Sequence, residues 1–280
     1  MRTTDVRERE ADPPNVTVPR RRVRDLTTRL VPRDSLAAVV AVLSIVVAWY
    51  LVAAAVPRLP VPTETLGAAA RILADPSSYV DVLSTLRRVA IGFVASTILG
   101  VVIGVAMGSS PWWQGVLKPW VLAALAVPGP VAIIFATLLI GISELSVLIA
   151  LVFIVTPYAS NILVSAVAGR DHSLEEMAYV FKFTSMKRFR HVVLPQLLPA
   201  LFAAMRTSFA LSWKLVVVIE AVGASRGIGT QISRSFRLLD VASGIAWAAL
   251  FVIVMWLIDA IGFQRVERHL YRWRSGTRVA

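Results

Sequence analysis

The 280-residue chain has no cysteine, which excludes disulfides, thiolate metal sites and a cysteine nucleophile. Histidine is almost missing: His172, His191 and His269 lie far apart in polar stretches, so a histidine metal site would need folding to gather them. No G-x-x-x-x-G-K-[ST] phosphate loop occurs, so the chain does not hydrolyse ATP by that device. Charge is scarce too. Only 16% of residues are charged and 57% are apolar, against about 25% and 45–50% in a soluble domain, and the mean hydropathy is +0.71. A soluble enzyme, a secreted disulfide scaffold and a disordered chain are thereby ruled out. A membrane-embedded enzyme lacks its paired carboxylates or its nucleophile with a nearby base. No catalytic residue, metal or cofactor is expected.

What is present is apolar length. Leu36–Val56, Val89–Gly108, Trp120–Ser143, Leu145–Gly169 and Val241–Ile258 hold no Asp, Glu, Lys or Arg, and Leu197–Val222 holds only Arg206, Lys214 and Glu220. A bilayer core needs about 20 apolar residues in a helix. The expected fold is an all-α polytopic membrane protein with six transmembrane helices, at about 36–56, 89–108, 120–143, 145–169, 197–222 and 241–263. Residues 1–35 read as a disordered basic cytoplasmic tail, and 36–280 as the transmembrane domain. With the N-terminus inside, the inner segments hold 20 lysines and arginines and the outer segments seven, with Arg206 and Lys214 inside a span. That asymmetry places both termini in the cytoplasm. It also accounts for the net charge of +12 without nucleic acid; the basic run Arg20–Arg22 suits anionic headgroups of membrane lipid.

Several segments stand out. Residues 57–88 look like an outer connection with one short amphipathic helix. Ser96, Gly100, Gly104 and Gly108 recur every four residues, stripping one helical face so that another helix can approach. Pro128-Gly129-Pro130 breaks the third span, which suits either a pathway-facing segment or a plain kink. Gly141–Glu144 reads as a tight hairpin. Ser173-Leu-Glu-Glu176 fits a capping box, with helix to about Phe183. Thr184 or Ser185 then caps a second short helix carrying Lys187, Arg188 and Arg190 and ending at Leu194-Pro195. Two short helices between spans suit a docking knob for a soluble partner or a merely solvated loop. Lys214 and Glu220 are ionisable residues at membrane depth, hence pathway candidates alongside Pro128, Gly129 and Pro130. Lys214 is also long enough to snorkel. Gly223-Ala-Ser-Arg-Gly227-Ile-Gly229 spells the glycine pattern of short-chain dehydrogenases, but a membrane-length span precedes it and no Tyr-x-x-x-Lys occurs.

The stretch Glu176 to Pro195 resembles the cytoplasmic "EAA" loop of binding-protein-dependent ABC importer permeases, through Glu176, Ala178, Leu194 and Pro195. The resemblance runs from about Leu59-Pro60 to Arg274. Its sub-type is similar to the nitrate, sulfonate and taurine group, carried by Gly141-Ile-Ser-Glu144-Leu145-Ser146, Trp213, Glu220-Ala-Val-Gly223-Ala-Ser-Arg-Gly227-Ile-Gly229 and the ending Asp259 … Glu267-Arg268 … Arg272-Trp273-Arg274. It implies a type I importer fold in a bacterial inner membrane. Its implied partners are a second permease subunit (alike or unlike), a cytoplasmic ATPase and an external solute-binding protein. It assigns ATPase coupling to Glu175, Glu176, Ala178, Lys182, Lys187, Arg188, Leu194 and Pro195. Two positions depart from the family: Met177 stands for alanine, and Lys182 stands for glycine. If that turn is left-handed, lysine there costs roughly 1–2 kcal/mol. The rival reading is a self-contained channel or secondary carrier, which leaves the loop motif without a task.

Overall fold

The computed structural model describes residues 31–263, with side chains for 37 and 40–262. Within them every regular element is helical. The tail before residue 31 and the ending after residue 263 lie outside the described residues. The chain divides into two compact units, residues 1–48 and 49–280. The first is represented by the start of helix α1 (Val31–Ala55), whose apolar stretch is Val40–Ala55.

The second unit continues α1 to Ala55, and the indole Nε1 of Trp49 donates to the carbonyl of Pro60, 3.0 Å away. Helix α2 (Pro62–Ala74) is a short helix after α1, where one was expected. Helix α3 (Pro76–Ser109) begins 13 residues earlier than its uncharged window suggests. Asp75 caps it by accepting from the Ser77 amide (2.9 Å) and hydroxyl (2.8 Å), and Pro76 suits the first turn because its missing N–H would be unpaired there anyway. Asp81 and Arg88 ride inside this helix, buried and paired across to other helices.

The expected third span is not one rod. Helices α4 (Pro111–Ala126) and α5 (Gly129–Ile140) meet at 101°. Val127 precedes a proline and is extended (φ −77°, ψ 119°), as the proline ring demands, and Pro128 has no amide to continue the ladder. Gly141, at φ +84°, ends α5 at the hairpin, and Ser143 caps α6 (Glu144–Ala168). Helices α7 (His172–Val180) and α8 (Ser185–Arg188) follow, then a π-helical segment, Phe189–Val193, that feeds directly into α9 (Leu194–Gly223). Helices α10 (Ile228–Arg237) and α11 (Val241–Ile258) complete the described chain, with a second π segment at Asp259–Phe263.

Among the described residues, four helical runs are long and apolar enough to cross a membrane: Pro76–Ser109, Glu144–Ala168, Ser185–Gly223 and Val241–Gly262. The bent α4–α5 pair makes a fifth if counted as one span. The packing centre is the trio α3, α6 and α9. Gly92, Gly100, Gly104 and Gly108 of α3 lie against Leu151, Ala159, Leu163 and Val167 of α6. A methyl group on Gly104 would come within 2.6 Å of the Ser160 carbonyl, so the two backbones are as close as glycine permits. Ser96 is fully buried on the same stripe.

Candidate functional site

Two polar constructions sit at opposite ends of α6 and α9. The first joins the end of α6 to the start of α9. Asp171, not Ser173, caps α7: its carboxylate accepts from the Ser173 amide at 2.9 Å and hydroxyl at 2.6 Å. An aspartate one residue before the helix outcompetes a serine already inside its first turn, since it meets the same orphan amides with full charge. Those bonds hold the Asp171 carboxyl below the usual carboxylate range. The Asp171 amide in turn donates to Gln196 Oε1 of α9 at 2.8 Å.

Helix α7 stops at Val180 rather than Phe183 and closes in a Schellman turn. The Phe183 amide reaches back to the Ala178 carbonyl (2.9 Å), and the Lys182 amide to that of Tyr179 (2.9 Å). Lys182 sits at φ +53°, the left-handed conformation. The glycine of the resembling motif is therefore explained by geometry, and this chain performs the same turn with a lysine. Thr184 caps α8 through the Lys187 amide at 3.4 Å.

No break follows at Leu194-Pro195. Pro195 has no N–H to offer the His191 carbonyl, and the backbone adopts π geometry instead, the Leu194 amide bonding to Phe189. Ala178 is fully buried, whereas Glu176, Met177, Tyr179, Val180, Phe181 and Lys182 are exposed. Glu175 turns inward, 3.2 Å from Arg170. Lys187 is exposed and Arg188 lines a cavity with Arg170.

The second construction lies at the far end, and sequence reasoning missed it. Arg88 of α3 is fully buried. It pairs with Glu220 of α9 (2.6 Å, also fully buried) and with Glu144 at the head of α6, and it donates to the Arg226 carbonyl at 2.6 Å. Arg87 reaches Glu144 from the exposed side at 3.1 Å. Glu220 further accepts from Thr85 (2.9 Å) and from the Gly229 amide (2.9 Å). Asp81 accepts from the Gly227 amide (3.1 Å) and from Gln231 (2.6 Å).

The dehydrogenase-like glycines thus do hold an anion, one of the chain's own. Gly227, at φ +126°, and Gly229 bring backbone N–H groups to two carboxylates so closely that a Cβ on Gly227 would lie 2.6 Å from the Glu220 carboxyl. Taken together, Arg88, Glu144, Glu220, Thr85 and Asp81 tie α3, α6, α9 and the head of α10 into one buried knot. Glu220, a pathway candidate by sequence, is committed to it. A signal existed. Asp81, Thr85, Arg88, Gly92, Ser96, Gly100, Gly104 and Gly108 form one stripe at spacings of three and four, so the small-residue face of α3 continues outward as a polar one.

The other pathway candidates differ. Lys214 is exposed on α9, its ammonium 5.7 Å from the Trp213 ring centroid, a cation–π distance. Pro128 and Pro130 are exposed at the α4–α5 bend, and Gly129 faces Leu215 of α9 and Ile154 of α6. The structure does not bring Lys214 and Glu220 together.

Residues 96–272, more than half of the chain, match the binding-protein-dependent transport system inner membrane component family, and the chain belongs to it. It is accordingly a permease subunit of an ABC importer and a multi-pass inner-membrane protein, with ATP hydrolysis on a separate chain. It is 26% identical to the taurine transport system permease protein of Escherichia coli over 227 residues, covering 78% of this chain and 80% of that one. It is 24% identical to a nitrate import permease protein of Synechocystis over 250 residues, 86% and 90% of the two chains. Among solved structures, a chain of the inward-facing MetNI methionine ABC transporter shares the fold, with TM-score 0.59, 20% identity, and coverage of 69% of this chain and 96% of that one.

Proposed function

We propose that this chain lines the pathway of an importer for a small organic or inorganic anion of the sulfonate, taurine or nitrate kind, driven through residues 172–194 by a cytoplasmic ATPase. One observation carries the coupling half. Helix α8 runs through the π segment into α9 without a break, and α7 is fastened to it by the left-handed Lys182 turn and by the Asp171–Gln196 bond, so a push on the exposed face around Glu176 and Tyr179 is passed to a membrane-crossing helix. Glu176 and Lys182 present charge to the ATPase, buried Ala178 seats α7, Glu175 braces it through Arg170, and Lys187, Leu194 and Pro195 join the loop to α9. The cargo half is supported by the likeness to taurine and nitrate permeases and by the exposed Lys214, with Pro128, Gly129 and Pro130 shaping the wall opposite. Glu220 is a positioning residue.

Six spans, counting α1 and the bent pair with the four long runs, would bring both termini to one side, and the excess of basic residues on that side supports the cytoplasm. An external solute-binding protein delivers the anion, and a second permease subunit completes the pathway. The test is purification of the tagged chain from its own membranes in mild detergent, followed by ATP-driven uptake in proteoliposomes. A P-loop ATPase should co-purify and be lost with Glu176→Lys, with uptake falling in parallel. Unchanged ATPase recovery and unchanged uptake in that variant would overturn the coupling assignment. Absence of ATP-driven uptake of radiolabelled taurine, alkanesulfonate and nitrate alike would overturn the anion reading.

A further inference from the structure

The proposed coupling end holds a cavity of about 350 Å³. Its mouth is set by Arg170, just past α6, and by Ser109, Ser185 and Arg188 at the ends of α3 and α8. Its wall runs down Val105 and Val101 of α3 and across to Leu197 and Leu201 of α9. From Ser109 to Val101 is eight residues of helix, or about 12 Å along the axis. The cavity is therefore polar and cationic where three membrane-crossing runs end, and aliphatic where they enter the hydrocarbon. No carboxylate lines it. Arg170 is partly engaged, donating through Nε to the Val167 carbonyl (2.9 Å) and lying 3.2 Å from Glu175; the guanidinium of Arg188 has no hydrogen-bond or ion-pair partner among the described residues. One side of the mouth is the π segment, where the backbone is wound wider than an α-helix. Such segments recur at functional sites.

We infer that this cavity is a binding site for an anionic glycerophospholipid of the cytoplasmic leaflet, its phosphodiester held between Arg170 and Arg188 and an acyl chain laid along Val105, Val101 and Leu201. The inference rests on the cytoplasmic placement of residues 170–194 proposed above. The gradient from cation to hydrocarbon along the bilayer normal matches that of a phospholipid. A free oxyanion would use the arginines and leave the aliphatic wall dry. A soluble protein segment would have to reach hydrocarbon depth to fill it. Basic pockets between spans on the cytoplasmic side are a known setting for acidic headgroups. The bound lipid would fix Arg188, and with it the joint between α8 and α9.

The test is native mass spectrometry of the full chain in mild detergent, titrated with phosphatidylglycerol and separately with phosphatidylcholine. The wild type should retain phosphatidylglycerol selectively. R170Q/R188Q should bind it roughly 10- to 30-fold more weakly, at about a factor of five for each cation lost. Val105→Trp, which fills the aliphatic end and leaves both arginines, should lose it too, and it decides the matter if the double variant melts abnormally. Millimolar inorganic phosphate should not displace the lipid. Equal phosphatidylglycerol retention by R170Q/R188Q and by Val105→Trp overturns the site. Displacement by phosphate alone makes it a free-anion site, and unchanged lipid with lost ATPase recovery makes it a protein seat; either refutes the proposal. Unchanged coupling in Glu176→Lys, with lipid retention intact, would sink the ATPase assignment and leave the lipid site standing.

Discussion

Lys182 occupies a conformation that glycine adopts freely and lysine does not. Lys182→Gly should stabilise the turn by about 1 kcal/mol, seen as slower amide hydrogen exchange at Phe181–Phe183. Faster exchange there would mean that the lysine side chain contributes more than its strained backbone costs. Leu239 repeats the device at the end of α10, at φ +57° with the Asp240 amide bonded to Ser235, so the strain is not special to the coupling loop. Asp171 makes a prediction about pH. Its carboxyl is held low by Ser173, so the cap is intact above the unfolded value near 3.9 and is lost only as pH falls through the lower folded value. The Ser173 amide resonance should titrate with a midpoint below 3.9 and stop titrating in Asp171→Asn. At the other end, Glu220→Ala leaves Arg88 buried with Glu144 as its remaining carboxylate. The loss should be about 3 kcal/mol, at the low end for a broken buried pair because Glu144 still neutralises the charge. Thermal melting in detergent should rank Glu220→Ala below Glu220→Gln, which keeps the shape and an acceptor for Thr85 and Gly229.

At the scale of elements, α3 is the organising helix. Its glycine stripe meets α6 backbone to backbone, and a larger residue has nowhere to go. Gly104→Ala should cost about 1–3 kcal/mol by overpacking against the Ser160 carbonyl, whereas Gly115→Ala, with open space around it, should be neutral or slightly stabilising. Equal melting temperatures for the two variants would contradict the close approach. This helix also shows what could be read in advance. The stripe Ser96–Gly108, the Gly141 hairpin and the cap at Thr184 are local patterns, and each was legible because the residues that make it lie within a few turns of one another. The knot was not. Arg88 and Glu220 are separated by 132 positions, and a charge count sees Arg87-Arg88 as outer-loop basics because a hydropathy window cannot tell a paired buried arginine from a solvated one. The 101° bend was half legible: two prolines announce a break, but the direction in which the chain leaves is set by what α5 packs against on α6 and α9.

For the whole molecule, sidedness is the first quantity to fix, and the lack of cysteine makes it direct. A single thiol placed at Tyr179 should react with a membrane-impermeant maleimide only from the cytoplasmic side, and one at Ser225 only from the outside. Labelling of both from one face would require an even number of spans between them and would undo the proposed arrangement. The run Ser185–Gly223 has a further consequence. It is 39 residues of nearly continuous helix, about 58 Å long, with the loop proposed to face the ATPase at one tip and Glu220 near the other. It is therefore a lever with arms of about 29 Å if it pivots at its middle, where Ala204 packs with Ala159 and Leu163 of α6. A tilt of only about 5° would swing each tip by about 2.5 Å in opposite senses, enough to carry Glu220 out of hydrogen-bonding range of Arg88. Leverage of that kind converts a small inward stroke into the release of a fastening on the far side of the membrane, and the same ion pair resets the arm when the stroke relaxes.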